Sequence, residues 1–288
     1  MAVEKNKERL AVIERIKEYE RKGLWNRDVE DDPPTVALKP GQCDYLNRKF
    51  SSWIQMKFVN TQARRFIRKL VKTGQMVLKP VDGLEKFIAM KDVGAVITCN
   101  HFNAFDNFAI YHCLEKYIRR KQLYKVIREG NYTSFPGIYG YFFRHCNTLP
   151  LSSNFSVMKE FMEAVDTILK RGEKLLVYAE QGMWWNYRKP RPMTNGAFRF
   201  AVNNNVPVIP LFITMHDTDK IDGDGFPIQE YTLHVLDAIY PDANKSRREN
   251  EKDMMENNFQ QWKDCYERVY GIPLTYCDDT NFIGGDRV

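Results

Sequence analysis

From Val77 onward the chain repeats one device, a short apolar run rich in β-branched residues followed by a stretch long enough for a helix. The runs are AVITC at 95–99, YKVI at 124–127, KLLVYA at 174–179, VPVIPLFI at 206–213 and YTLHVL at 231–236. Each has strand length and strand composition. Strands alternating with helices predict an α/β sheet covered on both faces. The intervening helices are expected at about 104–121, 156–171 with Ser156 as N-cap, 195–204, and 246–269 with Ser246 as N-cap. Pro207 and Pro210 interrupt a strand ladder and fit an edge or a strand end.

The first 76 residues follow a different rule. Residues 4–22 alternate charges around Leu10, Ile13 and Ile16, enough for a short helix with a narrow apolar stripe. An acidic, proline-bearing connector follows. Over 46–73, Met56, Val59, Ala63, Phe66 and Leu70 recur at three- and four-residue steps, widened by Trp53, Ile54, Phe58, Ile67 and Val71. Between Tyr45 and Val81 no acidic residue occurs, while Arg48, Lys49, Lys57, Arg64, Arg65, Arg68, Lys69, Lys72 and Lys79 supply nine positive charges. Such a helix suits the headgroup layer of an anionic membrane, with Trp53, Phe58, Arg64, Arg65, Arg68 and Lys69 as its lipid-facing residues. Packing on the core by the same stripe, with a solvated basic face, is the equal alternative.

Three segments are therefore expected: a helical region at 1–76, an α/β core at 77–243, and a helix with a tail at 244–288. The 43% apolar composition over 288 residues excludes a disordered chain. Six cysteines without a CxxC pair, and five histidines, give no zinc pattern, so the thiols read as reduced and no metal is expected. The charged amino terminus is not a signal peptide, and no apolar run spans a bilayer; the expected location is peripheral, on the cytoplasmic side of a membrane. No nucleic-acid recognition module accompanies the basic helix, so nucleic acid is not an expected partner.

The run AVITC leads directly into Asn100-His101-Phe102-Asn103-Ala104-Phe105-Asp106. A histidine and a carboxylate then stand at the carboxyl edge of a strand, where open α/β sheets place their sites. Asp106 can accept the Nδ1 proton of His101 and leave Nε2 as a general base. The competing reading makes Asn103 a helix cap, with Asp106 as the third residue of a capping box.

NHFNAFD resembles the His-x4-Asp block of the glycerolipid acyltransferases, the superfamily of 1-acylglycerol-3-phosphate and other lysophospholipid O-acyltransferases. The resemblance continues in order through Pro136–Leu151, through Val177–Gly182, which is similar to Phe-Pro-Glu-Gly-Thr-Arg, and through Val206–Leu211. It implies a mixed, largely parallel sheet flanked by helices, with an N-terminal helical appendage facing the membrane. It also implies transfer of a fatty acyl group from an acyl-CoA or acyl-carrier-protein thioester, with no other cofactor, to a lysolipid hydroxyl. His101 would be the base and Asp106 its orienting partner, with Glu180 and Gly182 at the acceptor site.

Two departures stand out. Ser152 and Ser153 replace the arginine that ends the second block, and Gln181 and Met183-Trp184-Trp185 disturb the third. The nearest substitutes for the phosphate-holding arginines are Arg188, Lys189 and Arg191, with Arg128 and Arg144. Tyr132, Phe135, Tyr139, Tyr141, Phe142 and Phe143 are candidates for an apolar wall along an acyl chain, and Trp184-Trp185-Asn186-Tyr187 for a headgroup contact, a lid or plain packing. A lipid ester hydrolase lacks a GxSxG serine, and a His101-Asp106-Glu180 metal site lacks further His or Cys ligands. These, with a non-catalytic membrane-surface protein, are the alternatives.

Overall fold

The computed structural model describes residues 4–278 except 32, 119 and 121. The outer ends of the first and last expected segments, and the expected end of a helix at 121, lie outside the described residues. The sequence order is α1 (Lys7–Arg21), α2 (Phe50–Lys72), β1 (Val77–Leu78), α3 (Leu84–Ala89), β2 (Ala95–Thr98), α4 (Asp106–Leu114) and β3 (Leu123–Arg128). It continues with α5 (Glu129–Thr133), α6 (Gly137–His145), β4 (Thr148–Leu151), α7 (Phe155–Lys170) and β5 (Lys174–Val177). The last elements are α8 (Gly196–Asn204), β6 (Val208–Ile221), β7 (Pro227–Val235) and α9 (Arg247–Tyr270).

The strands form one seven-stranded sheet in the order β1-β7-β6-β2-β5-β3-β4. Every pairing is parallel except β6 with β7. The mixed, largely parallel α/β expectation therefore holds. β2 and β5 are buried at every position, as central strands covered on both faces require. One face packs on α7 and α8 through Phe161, Ile168, Phe198 and Ala201; the other packs on α2, α3 and α4 through Ile67, Phe87 and Ile110.

Local chemistry sets the helix starts. Ser246 and Glu249 form a reciprocal capping box at α9. At α7 the cap is Asn154, not Ser156: its side-chain oxygen accepts from the Ser156 and Val157 amides at 3.0 and 3.3 Å. The helix expected over 104–121 is shorter, ending at Leu114.

Pro210 lies inside β6, a central strand, contrary to the edge or end placement that the ladder argument favours. The neighbouring chain leaves the ladder there. Leu236 N–H donates to the Pro210 carbonyl at 3.0 Å, and the next exchange joins Val208 to Ile239. The missing proline N–H thus faces an irregular stretch that asks for no donor.

Helix α1 packs on the body: Ile16 is buried with Val29, Trp184 and Tyr187. Helix α2 is turned so that Met56, Val59, Ala63 and Ile67 are buried, while Phe50, Trp53, Ile54 and Phe58 face outward, 75, 46, 45 and 55% exposed. It therefore carries two apolar rows, one inward and one outward. No described helix is long and apolar enough to cross a membrane.

Candidate active site

Beyond Thr98 the chain leaves the carboxyl edge of β2, and Asn100 fixes its course. Its amide donates to the Ile213 carbonyl at 2.9 Å and its oxygen accepts the Ile213 N–H at 2.8 Å, so one side chain stands in for a strand partner. The next residue is His101. Its N–H donates to Glu180 Oε2 at 3.0 Å, and its carbonyl accepts from Trp184 N–H at 3.1 Å. The main chain is thus held on both sides before the side chain does anything.

The imidazole Nδ1 lies 2.7 Å from Asp106 Oδ2. The carboxylate has no proton to give, so Nδ1 carries it and Nε2 presents a lone pair. The Asp106 side chain is fully buried, while His101 keeps 20% exposure. Among the described residues no group hydrogen-bonds Nε2. Asp106 Oδ2 also accepts the amides of Phe102 at 3.3 Å and Asn103 at 3.4 Å, and Oδ1 accepts the Tyr178 hydroxyl. Tyr178 stacks on the imidazole with ring centroids 3.9 Å apart. Burial, reinforced by the charge of Asp106, pushes the Tyr178 phenol well above its ordinary range and keeps it a donor.

Both sequence readings of Asp106 therefore meet in one side chain. It orients the histidine, and it also reaches back to amides at the helix entrance as a capping residue does. Asn103 makes a separate turn, accepting Phe105 N–H at 3.0 Å rather than capping α4. Such a pair can accept a hydroxyl proton at Nε2 while the buried carboxylate stabilises the imidazolium.

Glu180 does not face an open groove. It is buried against Arg191, whose guanidinium lies 2.8 Å from Oε2, and its other oxygen accepts Arg191 N–H at 2.8 Å. Arg191 also donates to the carbonyls of Trp25, Gly182 and His101. Lys189 is buried between Glu20 and Asp278. Neither of these two cations is available to a substrate phosphate, contrary to the expectation that they replace the phosphate-holding arginines. A carboxylate bound to Arg191 and to a main-chain amide is also turned away from metal ligation with His101 and Asp106.

Gly182 presses its backbone on the chain's own amino-terminal segment: a Cβ there would lie 2.5 Å from the Arg27 carbonyl oxygen. Arg188 is mostly buried and bound to Asp217 at 2.7 Å. Arg128 pairs with Asp28, and Arg144 reaches the Tyr132 carbonyl at 3.5 Å. Trp184 and Trp185 are buried, so that cluster is packing, neither a lid nor a headgroup contact. On α2, Trp53, Phe58, Arg65 and Lys69 are exposed, whereas Arg64 donates to the Tyr111 hydroxyl at 3.2 Å and Arg68 pairs with Glu115 at 3.0 Å. An aromatic row joins Phe66 of α2, Phe105, Phe108 of α4 and Phe142 of α6 through centroid distances of 5.4, 6.2 and 6.4 Å. Sequence reasoning missed Asn100, Tyr178 and the use made of Arg191. Asn100 and Tyr178 adjoin apolar strands, a signal that marks them as buried but not what they bind, whereas Arg191 lies between β5 and β6 with no apolar run beside it.

No curated protein matches the chain. Among solved structures it is similar to the crystal structure of the 1-acyl-sn-glycerophosphate (LPA) acyltransferase, PlsC, from Thermotoga maritima, at 16% identity over 80% of this chain and 96% of that one, with a TM-score of 0.46. An acyltransferase family model matches residues 80–214. The matched span runs from just after β1 into β6 and contains His101, Asp106, Tyr178, Glu180 and Arg191, so the chain is similar to the acyltransferase family over the part that carries the pair.

Proposed function

We propose that the chain moves a fatty acyl group from an acyl-CoA or acyl-carrier-protein thioester to the hydroxyl of a lysophospholipid. His101 Nε2 removes the hydroxyl proton as the oxygen attacks the thioester carbonyl. The tetrahedral intermediate collapses with loss of the thiolate, which takes the proton from the imidazolium, and no acyl-enzyme forms. The observation that carries this reading is the buried Asp106 holding Nδ1 while no group among the described residues hydrogen-bonds Nε2.

Two further features support it. The exposed row Phe50, Trp53, Ile54 and Phe58, beside Arg65 and Lys69, suits the surface of an anionic bilayer on its cytoplasmic side. The aromatic row from Phe66 to Phe142 suits an acyl chain. Arg128 and Arg144 are the residues we assign to the acceptor headgroup, since Lys189 and Arg191 are spent inside the fold.

The test is a mass-spectrometric transfer assay with acyl-CoA and acyl-carrier donors against a panel of lysolipids on anionic vesicles. Transfer by the wild type and a loss of at least roughly 10³-fold in His101→Ala are expected. Undiminished transfer by His101→Ala would remove the base assignment, and free fatty acid as the only product would replace transfer by hydrolysis.

A further inference from the structure

The ring of Tyr178 touches both members of the pair. It lies against the imidazole face with 14° between the planes, and its hydroxyl donates to Asp106 Oδ1, the oxygen that His101 does not use. The stack limits rotation of the imidazole. The hydroxyl fixes the carboxylate's rotamer and leaves Oδ2 aimed at Nδ1. A donor on an ionised carboxylate also lowers its basicity, so the imidazolium feels a weaker counter-charge than a carboxylate without that donor would supply.

We propose that Tyr178 is a positioning residue that sets the basicity of His101 through its hydrogen bond to Asp106. This rests on His101 as the base. The charged and titratable groups facing the pair are few. Glu180 and Arg191, after β5, neutralise each other. Cys99, following β2, and Tyr231 of β7 are buried, and burial pushes both upward so that they stay neutral. Among the described residues Tyr178 supplies the one side-chain proton that Asp106 receives besides that of His101.

The sign follows directly. Tyr178→Phe keeps the stack and removes the donor, so Asp106 becomes the stronger partner and the His101 imidazolium is harder to deprotonate. The acid limb of kcat/KM should move up by roughly half to one pH unit, and the deficit against wild type should be larger at pH 6 than at pH 8.5. Incorporating 3-fluorotyrosine at position 178 makes the phenol a better donor and should move the limb the other way.

The deciding experiment is an NMR titration of the His101 imidazole in the wild type, in Tyr178→Phe and in the fluorotyrosine protein, alongside the pH profiles. Opposite shifts in the two substituted proteins support the proposal. A His101 titration unmoved to within about 0.2 units in both would reduce Tyr178 to packing and overturn it. If Tyr178→Phe fails to fold, the near-isosteric fluorotyrosine protein alone decides, by a downward shift or none. The titration needs no turnover, so failure of the base assignment, seen as His101-independent transfer, is distinguishable from failure of the Tyr178 proposal.

Discussion

The Glu180–Arg191 pair offers the sharpest test of how the site is held. Both side chains are almost fully buried, 2% and 1% exposed, with 2.8 Å between Oε2 and the guanidinium. Their mutual neutralisation leaves Glu180 able to accept His101 N–H at 3.0 Å. Arg191→Met keeps the aliphatic volume and strands a buried carboxylate, at a cost of about 3–5 kcal/mol. For 288 residues that is a fall in Tm of about 5–8 °C. Glu180→Gln strands the guanidinium and should cost about as much, although the amide still offers one acceptor oxygen. The double variant strands neither charge, so the two losses should not add. A coupling of about 2–3 kcal/mol is expected in a urea-denaturation cycle. Activity should follow a different rule. All three variants loosen the grip on the His101 amide and should lose roughly 10- to 100-fold in kcat, including the double variant whose stability recovers. Additive stability losses, with coupling below about 0.5 kcal/mol, would refute the clamp as a unit. A double variant with full activity would refute its role in placing His101.

Two further outcomes can be measured separately. Gly182→Ala drives a methyl to 2.5 Å from the Arg27 carbonyl oxygen, and should cost about 1–3 kcal/mol by urea denaturation; an unchanged midpoint would show that residues 25–29 are not pressed on the loop. His234 is buried between Asp82, 2.8 Å from Nδ1, and Thr214, 2.8 Å from Nε2, with Arg268 on Asp82 and His216 nearby. Burial holds its pKa below the ordinary 6.5, against the pull of Asp82. Below that pH the unfolded chain binds the extra proton first, so stability should fall as pH drops through about 6.5 toward the lower folded value. His234→Gln should flatten that part of the profile, and a parallel profile would refute the assignment.

Five of the seven strands were legible because each contains a short apolar run, and His101 because it stands just beyond one of them; β1 and β4, of two and four residues, did not stand out as such runs. The turn of α2 about its axis was not legible. Val59 and Phe58 are both apolar, and only the position of Cys146 and α6 decides that Val59 goes inward. Pro210 was misplaced for a similar reason. Its tolerance depends on where the chain after Val235 leaves the ladder, a fact of β7 rather than of Pro210. The basic residues divide by partner in the same way, since Arg64 finds Tyr111 of α4 and Arg68 finds Glu115 just beyond it, while Arg65, between them, points outward.

The two positions at which this sequence departs from the blocks it resembles touch the same part of the chain. Where the second block would end in arginine, the Ser152 hydroxyl donates to Glu129 Oε1 at 2.6 Å, and that same oxygen accepts Leu38 N–H at 2.6 Å. In the third block, Met183 N–H donates to Asp28 at 2.7 Å, and Trp184 donates to the Arg27 carbonyl at 2.7 Å while stacking on Trp25. Asp28 also holds Arg128. Both altered positions thus bind the segment between α1 and α2, which runs across the core at those points. An arginine at Ser152 would bring a long cation where a small hydroxyl now links Glu129 to Leu38. A threonine and arginine in place of Met183 and Trp184 would remove the indole that Trp25 covers. The two positions therefore share one interface with the amino-terminal segment. If the proposed lysophospholipid is the acceptor, its phosphate would have to be met by cations outside this interface or by Arg128 exchanging Asp28 for the substrate.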